Sequence, residues 1–234
     1  MSTRGFFGAF VTTAAALGAG IALTSAARVQ DAGVKIPAPI VDPAPAAGGV
    51  QRVGLAGGCF WGIQAVFQHV NGVTAAVSGY AGGHLENPTY EDVTTETTGH
   101  AETVLVSYDP SQVSFGTLLQ VFFSVGHNPT ELDRQGPDVG PSYRSHIFYT
   151  NEAQKSVAEA YIAQLDKARA FPRRIVTRVD RLTRFYEAED YHQDFLLNHP
   201  TYPYIVINDL PKLENFKRLL PALYRATPVR VAGR

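Results

Sequence analysis

The sequence is poor in the residues that oxidants attack. Its 234 residues include one cysteine, one tryptophan and one methionine, and the methionine is the initiator. A single cysteine excludes an internal disulfide and any zinc site built from several cysteine ligands. In an exported protein, an odd cysteine indicates a reactive thiol or a thiol that pairs with another molecule. Cys59 is therefore the first candidate for chemistry.

The chain also lacks an excess of charge of either sign. Twenty basic and twenty-one acidic residues leave a formal net charge of -1, and 45% of the residues are hydrophobic. The balance argues against general binding to nucleic acid, which requires a basic surface. The apolar fraction is too high for a disordered chain, so we expect one well-buried domain with appendages.

Residues 1–30 have the composition of a targeting segment. A single arginine, Arg4, precedes an uncharged run from Gly5 to Ala27, which ends in small residues of the kind that signal peptidases accept. The run is also long enough to span a bilayer, so an uncleaved membrane anchor is the alternative interpretation. Both interpretations predict export. The protein would be periplasmic after cleavage, or tethered to the outer face of the inner membrane without it.

The rest of the chain divides into a linker, a domain and a tail. Residues 31–49 are rich in proline, alanine and glycine, a composition that predicts an extended linker without a core of its own. Residues 50–225 carry the hydrophobic patterns of secondary structure and are predicted to form the catalytic domain. Residues 226–234 are predicted to be a flexible tail.

Helix and strand patterns alternate within the domain. Apolar or alternating segments predict strands at residues 50–56, 73–80, 101–108, 143–150 and 174–182. Helices are predicted after Cys59, after Ser114 as N-cap, and over residues 151–169. Residues 126–142 lack periodicity and predict a loop. The strands are too few for a large doubly wound sheet, so we expect an α+β two-layer sandwich with a mixed or antiparallel sheet.

The sequence around Cys59 favours a reactive thiol over an inert one. A strand, the glycine turn Gly57-Gly58, Cys59 and a helix follow one another. A free cysteine more often packs as a small hydrophobic residue. At the first turn of a helix, however, unpaired N–H groups and the helix dipole stabilise a thiolate. We therefore expect the pKa of the Cys59 thiol to be lowered.

Four other residues allow both a chemical and a purely structural interpretation. Glu102 shares a strand face with Val104, and is either solvent-facing or a buried acid whose raised pKa lets it donate a proton. Tyr90 and Tyr143 follow turn-rich segments and either cap the core or point their phenols into a cleft. Asp138 lies in a predicted loop, where an Asx-turn is the simpler explanation.

Seven short motifs, taken in order, resemble the A-type peptide methionine sulfoxide reductases. They are Gly58-Cys59-Phe60-Trp61-Gly62, Gly79-Tyr80-Ala81-Gly82-Gly83, Asn87-Pro88-Thr89-Tyr90, Thr98-Gly99-His100-Ala101-Glu102, Arg134-Gln135-Gly136-Pro137-Asp138-Val139-Gly140, Tyr143-Arg144-Ser145 and Ala188-Glu189-Asp190-Tyr191-His192-Gln193. Each motif is weak alone, but the ordered set is specific and spans about residues 50–204. The resemblance implies a ferredoxin-like core and the reduction of methionine S-sulfoxide, free or in peptides, as repair of oxidative damage. It also implies no bound cofactor and no metal.

The resemblance further implies a role for each matched catalytic residue. Cys59 would be the nucleophile and Glu102 the acid. Tyr90 and Tyr143 would donate hydrogen bonds to the sulfoxide oxygen, and Asp138 would order the pocket and its water. These residue types suit the chemistry, because a sulfoxide is a poor electrophile until its oxygen is hydrogen-bonded or protonated. Attack on the sulfur would release methionine and leave a sulfenic acid on the cysteine.

Three neighbours would bind the substrate, and an outside thiol would complete the cycle. Phe60 and Trp61 would form an apolar wall for the S-methyl group, beside Gly58. Many members of the family carry resolving cysteines near the C-terminus, and this chain has none. The resemblance therefore implies an external reductant: a thioredoxin-like domain, a glutaredoxin or a small thiol. We expect a monomer whose partners are this thiol and oxidised proteins, peptides or free methionine sulfoxide.

Departures from the family and three other function classes complete the interpretation. Asn128 stands where the family commonly has Asp, and Pro141-Ser142 precedes Tyr143 where Thr-Gln is usual. A cysteine hydrolase would pair Cys59 with a histidine, yet the papain and caspase signatures are missing. A histidine metal site would need a close pair such as i, i+4, which the sequence does not offer. A non-catalytic binder of oxidised peptides remains as the alternative.

Overall fold

A computed structural model describes residues 33–43 and 49–231. The predicted targeting segment, residues 1–30, lies outside this part of the chain, so its assignment stays a prediction. Among the described helices, none combines the length and the apolar character needed to cross a bilayer.

The described residues contain eight strands. Their bounds are β1 Gln51–Ala56, β2 Val73–Ala81, β3 Ala101–Tyr108, β4 Arg134–Gln135, β5 Asp138–Val139, β6 His146–Tyr149, β7 Arg178–Arg181 and β8 Phe185–Glu187. Six of them form one mixed sheet in the order β7-β6-β1-β3-β2-β8, in which the β6–β7 pair alone is parallel. The short strands β4 and β5 form a separate hairpin.

The same residues form six α-helices, two π-helical segments and three short 3-10 turns. The helices are α1 Phe60–Gln68, α2 Tyr90–Val93, α3 Phe115–Val121, α4 Glu152–Lys167, α5 Phe195–Asn198 and α6 Leu210–Leu219. A π-helical segment extends α3 over Phe122–Gly126, and another precedes α6 over Ile205–Asp209. Short 3-10 turns lie at Pro141–Tyr143, Asp190–His192 and Pro221–Leu223.

The order of elements produces a ferredoxin-like core within an α+β fold, as expected. The units β1-α1-β2 and β3-α3-β6 place their strands in the order β6-β1-β3-β2. The buried face of β3 carries Val104, Val106 and Tyr108, all at most 1% exposed, in the predicted alternation. Helix α1 lies on this core with Phe67 fully buried, so its N-terminal turn is held at the end of the sheet.

Part of the predicted linker and tail packs on the domain. Residues 33–43 form no helix or strand, and Ile36 is 5% exposed within the main hydrophobic cluster. The Tyr161 phenol donates a hydrogen bond to the Pro37 carbonyl at 2.7 Å, and the Gly116 N–H donates to Asp42 at 3.0 Å. At the other end, the Val229 N–H donates to the Gln68 carbonyl at 3.0 Å. The folded unit therefore begins before residue 50 and continues past residue 225.

Local signals predicted the first part of the chain better than the second. The Ser114 side chain caps α3, as predicted. The Asn151 side chain caps α4, which begins one residue after the predicted start of that helix. The strand predicted over residues 143–150 begins only at His146, because Gly140, with φ +142°, and the following proline start a 3-10 turn that contains Tyr143. The predicted loop contains the β4–β5 hairpin, whose two-residue strands are too short to show a period.

Candidate active site

A cavity of about 200 Å³ opens beside the N-terminal turn of α1. Its lining residues come from separate segments of the chain and are Cys59, Phe60, Trp61, Tyr90, Glu102, Asp138, Tyr143, Tyr202 and Tyr204. The fold thus brings together all the predicted site residues except Gly58. Within the described residues, no cluster of three or more His, Cys, Asp or Glu side chains could hold a metal ion.

Gly58 shapes the turn before the cysteine and does not line the cavity. Its φ is +87°, in the left-handed region, and a Cβ at this position would lie 2.5 Å from the Gln135 Cγ. Gln135 in turn hydrogen-bonds to the backbone of Asn128 with both ends of its amide, at 2.9 and 3.1 Å. The absence of a side chain at Gly58 therefore lets the β4–β5 hairpin pack against the Cys59 turn.

The departure at Asn128 leaves the local turn intact. The Asn128 Oδ1 accepts hydrogen bonds from the Thr130 N–H at 3.1 Å and from the Thr130 hydroxyl at 2.8 Å. Both bonds use a side-chain oxygen, which an aspartate also possesses. The substitution relative to the family pattern therefore keeps the acceptor that orders this segment.

A single hydrogen bond places the acid beside the thiol. Cys59 is the N-cap residue of α1, and the next N–H along the chain, that of Phe60, donates to Glu102 Oε2 at 2.9 Å. Glu102 lies on β3 and is 3% exposed, while Cys59 is 8% exposed. The structure therefore gives Glu102 the buried position, and the solvent-facing interpretation is wrong.

Burial controls the protonation of Glu102. Removal from water raises the pKa of this carboxyl to about 8, and the negative charges of Asp138, Glu96 and Asp209 act in the same direction. The hydrogen bond from Phe60 N–H opposes the shift because it stabilises the carboxylate. Glu102 is thus a neutral acid near pH 7, able to donate a proton.

The prediction of a lowered pKa for Cys59 is wrong for the free protein. Burial raises the pKa of the thiol well above its usual value, and the charges of Glu102 and Asp209 add to the increase. The backbone N–H of Trp61 opposes the increase, which is the helix-start effect that the sequence suggested, and the Lys212 ammonium of α6 opposes it as well. Desolvation and the neighbouring carboxyl groups are the larger contributions, so the resting thiol carries its proton.

An ion pair beside α1, between a buried aspartate and a partly buried lysine, was missed by sequence analysis. The Lys212 Nζ lies 3.0 Å from Asp209 Oδ1, and the Asp209 side chain is fully buried. A Cβ at Gly62, the third residue of α1, would lie 2.1 Å from the same oxygen. The pair with Asp209 raises the pKa of Lys212 and keeps the ammonium charged next to the site. In sequence, a pair at i, i+3 on a helix is typical of an exposed surface, which hid its role.

Two phenols face the acid across the cavity. Burial, followed by the charge of Glu102, raises the pKa of Tyr90 to about 12 and also raises the pKa of Tyr143. Both phenols therefore keep their O–H protons as hydrogen-bond donors. The Tyr90 N–H donates to Glu189 at 2.8 Å, and the Ser142 N–H, next to Tyr143, donates to Glu96 at 2.8 Å.

Asp138 is bound by a tyrosine that the sequence did not single out. Asp138 lies in β5, not in an Asx-turn, and its carboxylate accepts a hydrogen bond from the Tyr204 phenol. Burial raises the pKa of Asp138. Tyr202 lies in the irregular segment after α5, and Tyr204 lies in the helical turn that leads into the second π-helical segment. They have no periodic pattern, so only the three-dimensional fold shows that they line the cavity.

The nearby histidine does not form a hydrolase-type pair with Cys59. His127 packs against the glycine turn, where a Cβ at Gly57 would lie 2.7 Å from its ring. One ring nitrogen bonds to the Ser145 hydroxyl at 2.6 Å and the other to the Phe122 carbonyl at 3.3 Å. Burial lowers the pKa of His127 to about 3. With both nitrogens engaged, the ring is unsuited to accept a proton from the thiol.

Comparison with known proteins agrees with this geometry. A family model described as "Peptide methionine sulfoxide reductase" matches residues 51–222. Peptide methionine sulfoxide reductase MsrA 2 of Mesorhizobium japonicum is 59% identical over 186 residues, which are 80% of this chain and 95% of that protein. Peptide methionine sulfoxide reductase MsrA of Thermus thermophilus is 49% identical over 171 residues, covering 73% of this chain and 96% of that protein.

Solved structures of the same kind share the fold. Methionine sulfoxide reductase A of Corynebacterium diphtheriae superposes with a TM-score of 0.58 at 33% identity, covering 73% of this chain and 89% of the other. Reduced Mxr1 from Saccharomyces cerevisiae gives a TM-score of 0.59 at 29% identity, covering 70% and 92%.

The raised pKa of Glu102 predicts how stability depends on pH. The folded protein holds the Glu102 proton up to about pH 8, whereas the unfolded chain releases it near 4.5. The stability contributed by this proton is therefore complete below pH 4.5 and lost as pH rises to about 8. Relative to Glu102→Gln, the wild-type free energy of unfolding should fall by several kcal/mol over this window.

Urea unfolding at a series of pH values measures this difference. Glu159→Gln, on the exposed side of α4, is the control for the change of a carboxyl to an amide. A difference between wild type and Glu102→Gln that stays constant from pH 5 to pH 8 would contradict the buried, neutral acid.

Proposed function

The chain belongs to the peptide methionine sulfoxide reductase family, and we propose that its cavity performs the reduction through Cys59 and Glu102. As an A-type reductase it reduces methionine sulfoxide to methionine, which repairs oxidative damage. The observation that carries the residue assignment is the 2.9 Å hydrogen bond from Phe60 N–H to Glu102, which sets the acid beside the thiol. A thiol and a proton donor can then act on the adjacent sulfur and oxygen of one sulfoxide.

The first step makes the substrate sulfur electrophilic. Glu102, neutral near pH 7, donates its proton to the sulfoxide oxygen, while Tyr90 and Tyr143 donate hydrogen bonds to the same oxygen. The Cys59 sulfur attacks the substrate sulfur, and the thiol proton passes to the carboxylate that has just formed on Glu102. The thiol can lose its proton despite its high pKa, because Glu102 has become a carboxylate and accepts that proton.

The products of this step balance the reaction. The bond between the two sulfurs then breaks, and the hydroxyl group formed from the sulfoxide oxygen moves from the substrate sulfur to the Cys59 sulfur. Methionine leaves, Cys59 becomes a sulfenic acid, and two electrons have passed from the cysteine sulfur to the substrate sulfur. The Lys212 ammonium is paired with Asp209, interacts with the charges of Cys59 and Asp138, and limits the cost of negative charge during the transfer. The Asp138–Tyr204 hydrogen bond holds the polar edge of the cavity in place.

The arrangement also favours one epimer of the sulfoxide. A sulfoxide sulfur carries an oxygen, a methyl group and the rest of the residue, so it is a stereocentre. Glu102 and the phenols take the oxygen, Phe60 and Trp61 take the methyl group, and Cys59 approaches from a third direction. A site that binds the oxygen and the methyl group in fixed places, with the nucleophile on a third side, accepts only one epimer. This supports the S-epimer preference implied by the family.

Regeneration of Cys59 needs thiols from outside the chain. An external thiol attacks the sulfenic acid, releases water and forms a mixed disulfide, and a second thiol then releases the Cys59 thiol and an external disulfide. This proposal rests on the single cysteine of the sequence. The reductant is a thioredoxin-like domain, a glutaredoxin or a small thiol that reaches the cavity.

Turnover of a methyl sulfoxide with dithiothreitol tests the reductase against the alternative of a non-catalytic binder. Wild type should reduce the substrate, and Cys59→Ser should not, because serine is a far weaker nucleophile. Glu102→Gln should lower kcat by about 10²–10⁴-fold, the usual contribution of a positioned acid. Glu159→Gln should match wild type. Equal reduction by wild type and Cys59→Ser, or none by wild type, would end the proposal.

The recycling step has its own test in the absence of reductant. One equivalent of substrate should leave a Cys59 that reacts with dimedone, because no second cysteine can close a disulfide on the sulfenic acid. Mass spectrometry of the labelled peptide measures the adduct. Recovery of an unmodified thiol after one equivalent of methionine has formed would refute the intermediate.

We also propose that the protein acts outside the cytoplasm. The support is the uncharged run from Gly5 to Ala27 and the small residues that end it. Mass spectrometry of the N-terminus from an exported preparation should find a chain that begins near residue 28 if the segment is a signal peptide. An intact N-terminus in a membrane fraction would instead support the anchor, and recovery only from the cytoplasm would refute export.

A further inference from the structure

His192 makes a hydrogen bond that the proposed reaction does not use. The Trp61 indole N–H donates to His192 Nδ1 at 3.1 Å. An indole nitrogen only donates, so the Nδ1 atom must be unprotonated for this bond to exist. The neutral ring then carries its proton on Nε2.

The surroundings of the ring favour this neutral form. His192 is 2% exposed, and burial lowers its pKa from the ordinary value of 6.5. Its Nε2 finds no hydrogen-bond partner among the described residues, and the nearest carboxylate oxygen, on Glu189, lies 4.0 Å away. The titratable groups that face the ring are Glu189, Glu91, Tyr90 and Tyr191, of which the two glutamates oppose the shift.

The same ring packs against three aromatic residues that line the cavity. Its centroid is 5.0 Å from that of Phe60, 4.5 Å from that of Tyr90 and 5.8 Å from that of Trp61, and all three line the cavity. A change in the charge or hydrogen bonding of this histidine therefore reaches the cavity through residues that it contacts.

Packing fixes the plane of the Trp61 indole but not which edge of the ring points toward the cavity. Trp61 stacks on Phe195 with centroids 3.8 Å apart and planes at 9°, and it meets Tyr202 and Tyr204 edge-on. Stacking of this kind holds the plane of the ring but tolerates an indole turned over within that plane. The N–H bond to His192 distinguishes the two orientations, because only one of them points the nitrogen toward Nδ1.

We propose that His192 is a positioning residue that holds Trp61 with its apolar edge toward the substrate methyl group. The inference rests on the proposed function, since that function assigns the methyl group to Trp61. Protonation of His192 places a hydrogen on Nδ1, which removes the acceptor and releases the indole. Substrate binding should therefore weaken on the acid side, while the chemical step at Cys59 continues.

Two variants separate the hydrogen bond from packing. His192→Phe keeps an aromatic ring but has no acceptor, whereas His192→Asn is smaller but carries an amide oxygen close to the position of Nδ1. With a methyl sulfoxide and dithiothreitol, His192→Phe should raise KM roughly tenfold or more, with kcat within about threefold of wild type. His192→Asn should stay near the wild-type KM. In a Trp61→Phe background, His192→Phe should have little further effect.

Fluorescence provides a readout that does not depend on turnover. Trp61 is the only tryptophan of the chain, so tryptophan emission comes from this side chain alone, and the His192→Phe variant shows which part of the signal depends on His192. Wild-type emission should change as pH falls below 6.5, and the transition should be absent in His192→Phe. A His192→Phe protein with wild-type KM and wild-type emission would overturn the inference, as would a His192→Asn protein as impaired as His192→Phe. Failure of the proposed function is distinct, because wild type itself would then show no turnover.

Discussion

The hydrogen bond from the Phe60 backbone N–H to Glu102 is the contact on which the rest of the site depends. It joins the first turn of α1 to β3, a strand that is paired on one side with β1 and on the other with β2. The acid is therefore held by the interior of the sheet, and the thiol by the helix that packs on it. Burial at this position raises the pKa of Glu102 and makes it a proton donor, although the hydrogen bond itself opposes the shift.

Burial leaves both reacting groups neutral at rest. The thiol and the acid keep their protons, and Asp209 and Lys212 neutralise each other beside α1. A thiol reacts with oxidants more slowly than a thiolate, so Cys59 is poised for a sulfoxide whose oxygen engages Glu102. A neutral thiol beside a neutral acid thus suits a sulfoxide, whose sulfur accepts the nucleophile and whose oxygen accepts the proton.

Prediction from the sequence succeeded where the determining signal is local. The cap at Ser114, the start of α4 within one residue of its predicted position and the alternation in β3 depend on residues a few positions apart, and the structure contains them. The ordered motifs identified the family that the comparisons support. The prediction for the pKa of Cys59 failed, because the helix-start effect is local but the opposing desolvation comes from the whole fold.

The sequence by itself determined the chemistry available to this protein: one thiol at a helix start, one strand acid, and no second cysteine to resolve an oxidised thiol. The tertiary structure alone decided what those groups do at rest, because burial sets their pKa values and burial is a property of distant segments. It also brought Tyr204 to Asp138, Lys212 to Gly62 in the N-terminal turn of α1 and His192 to Trp61. These contacts join residues far apart in the chain, where no periodicity or spacing records them.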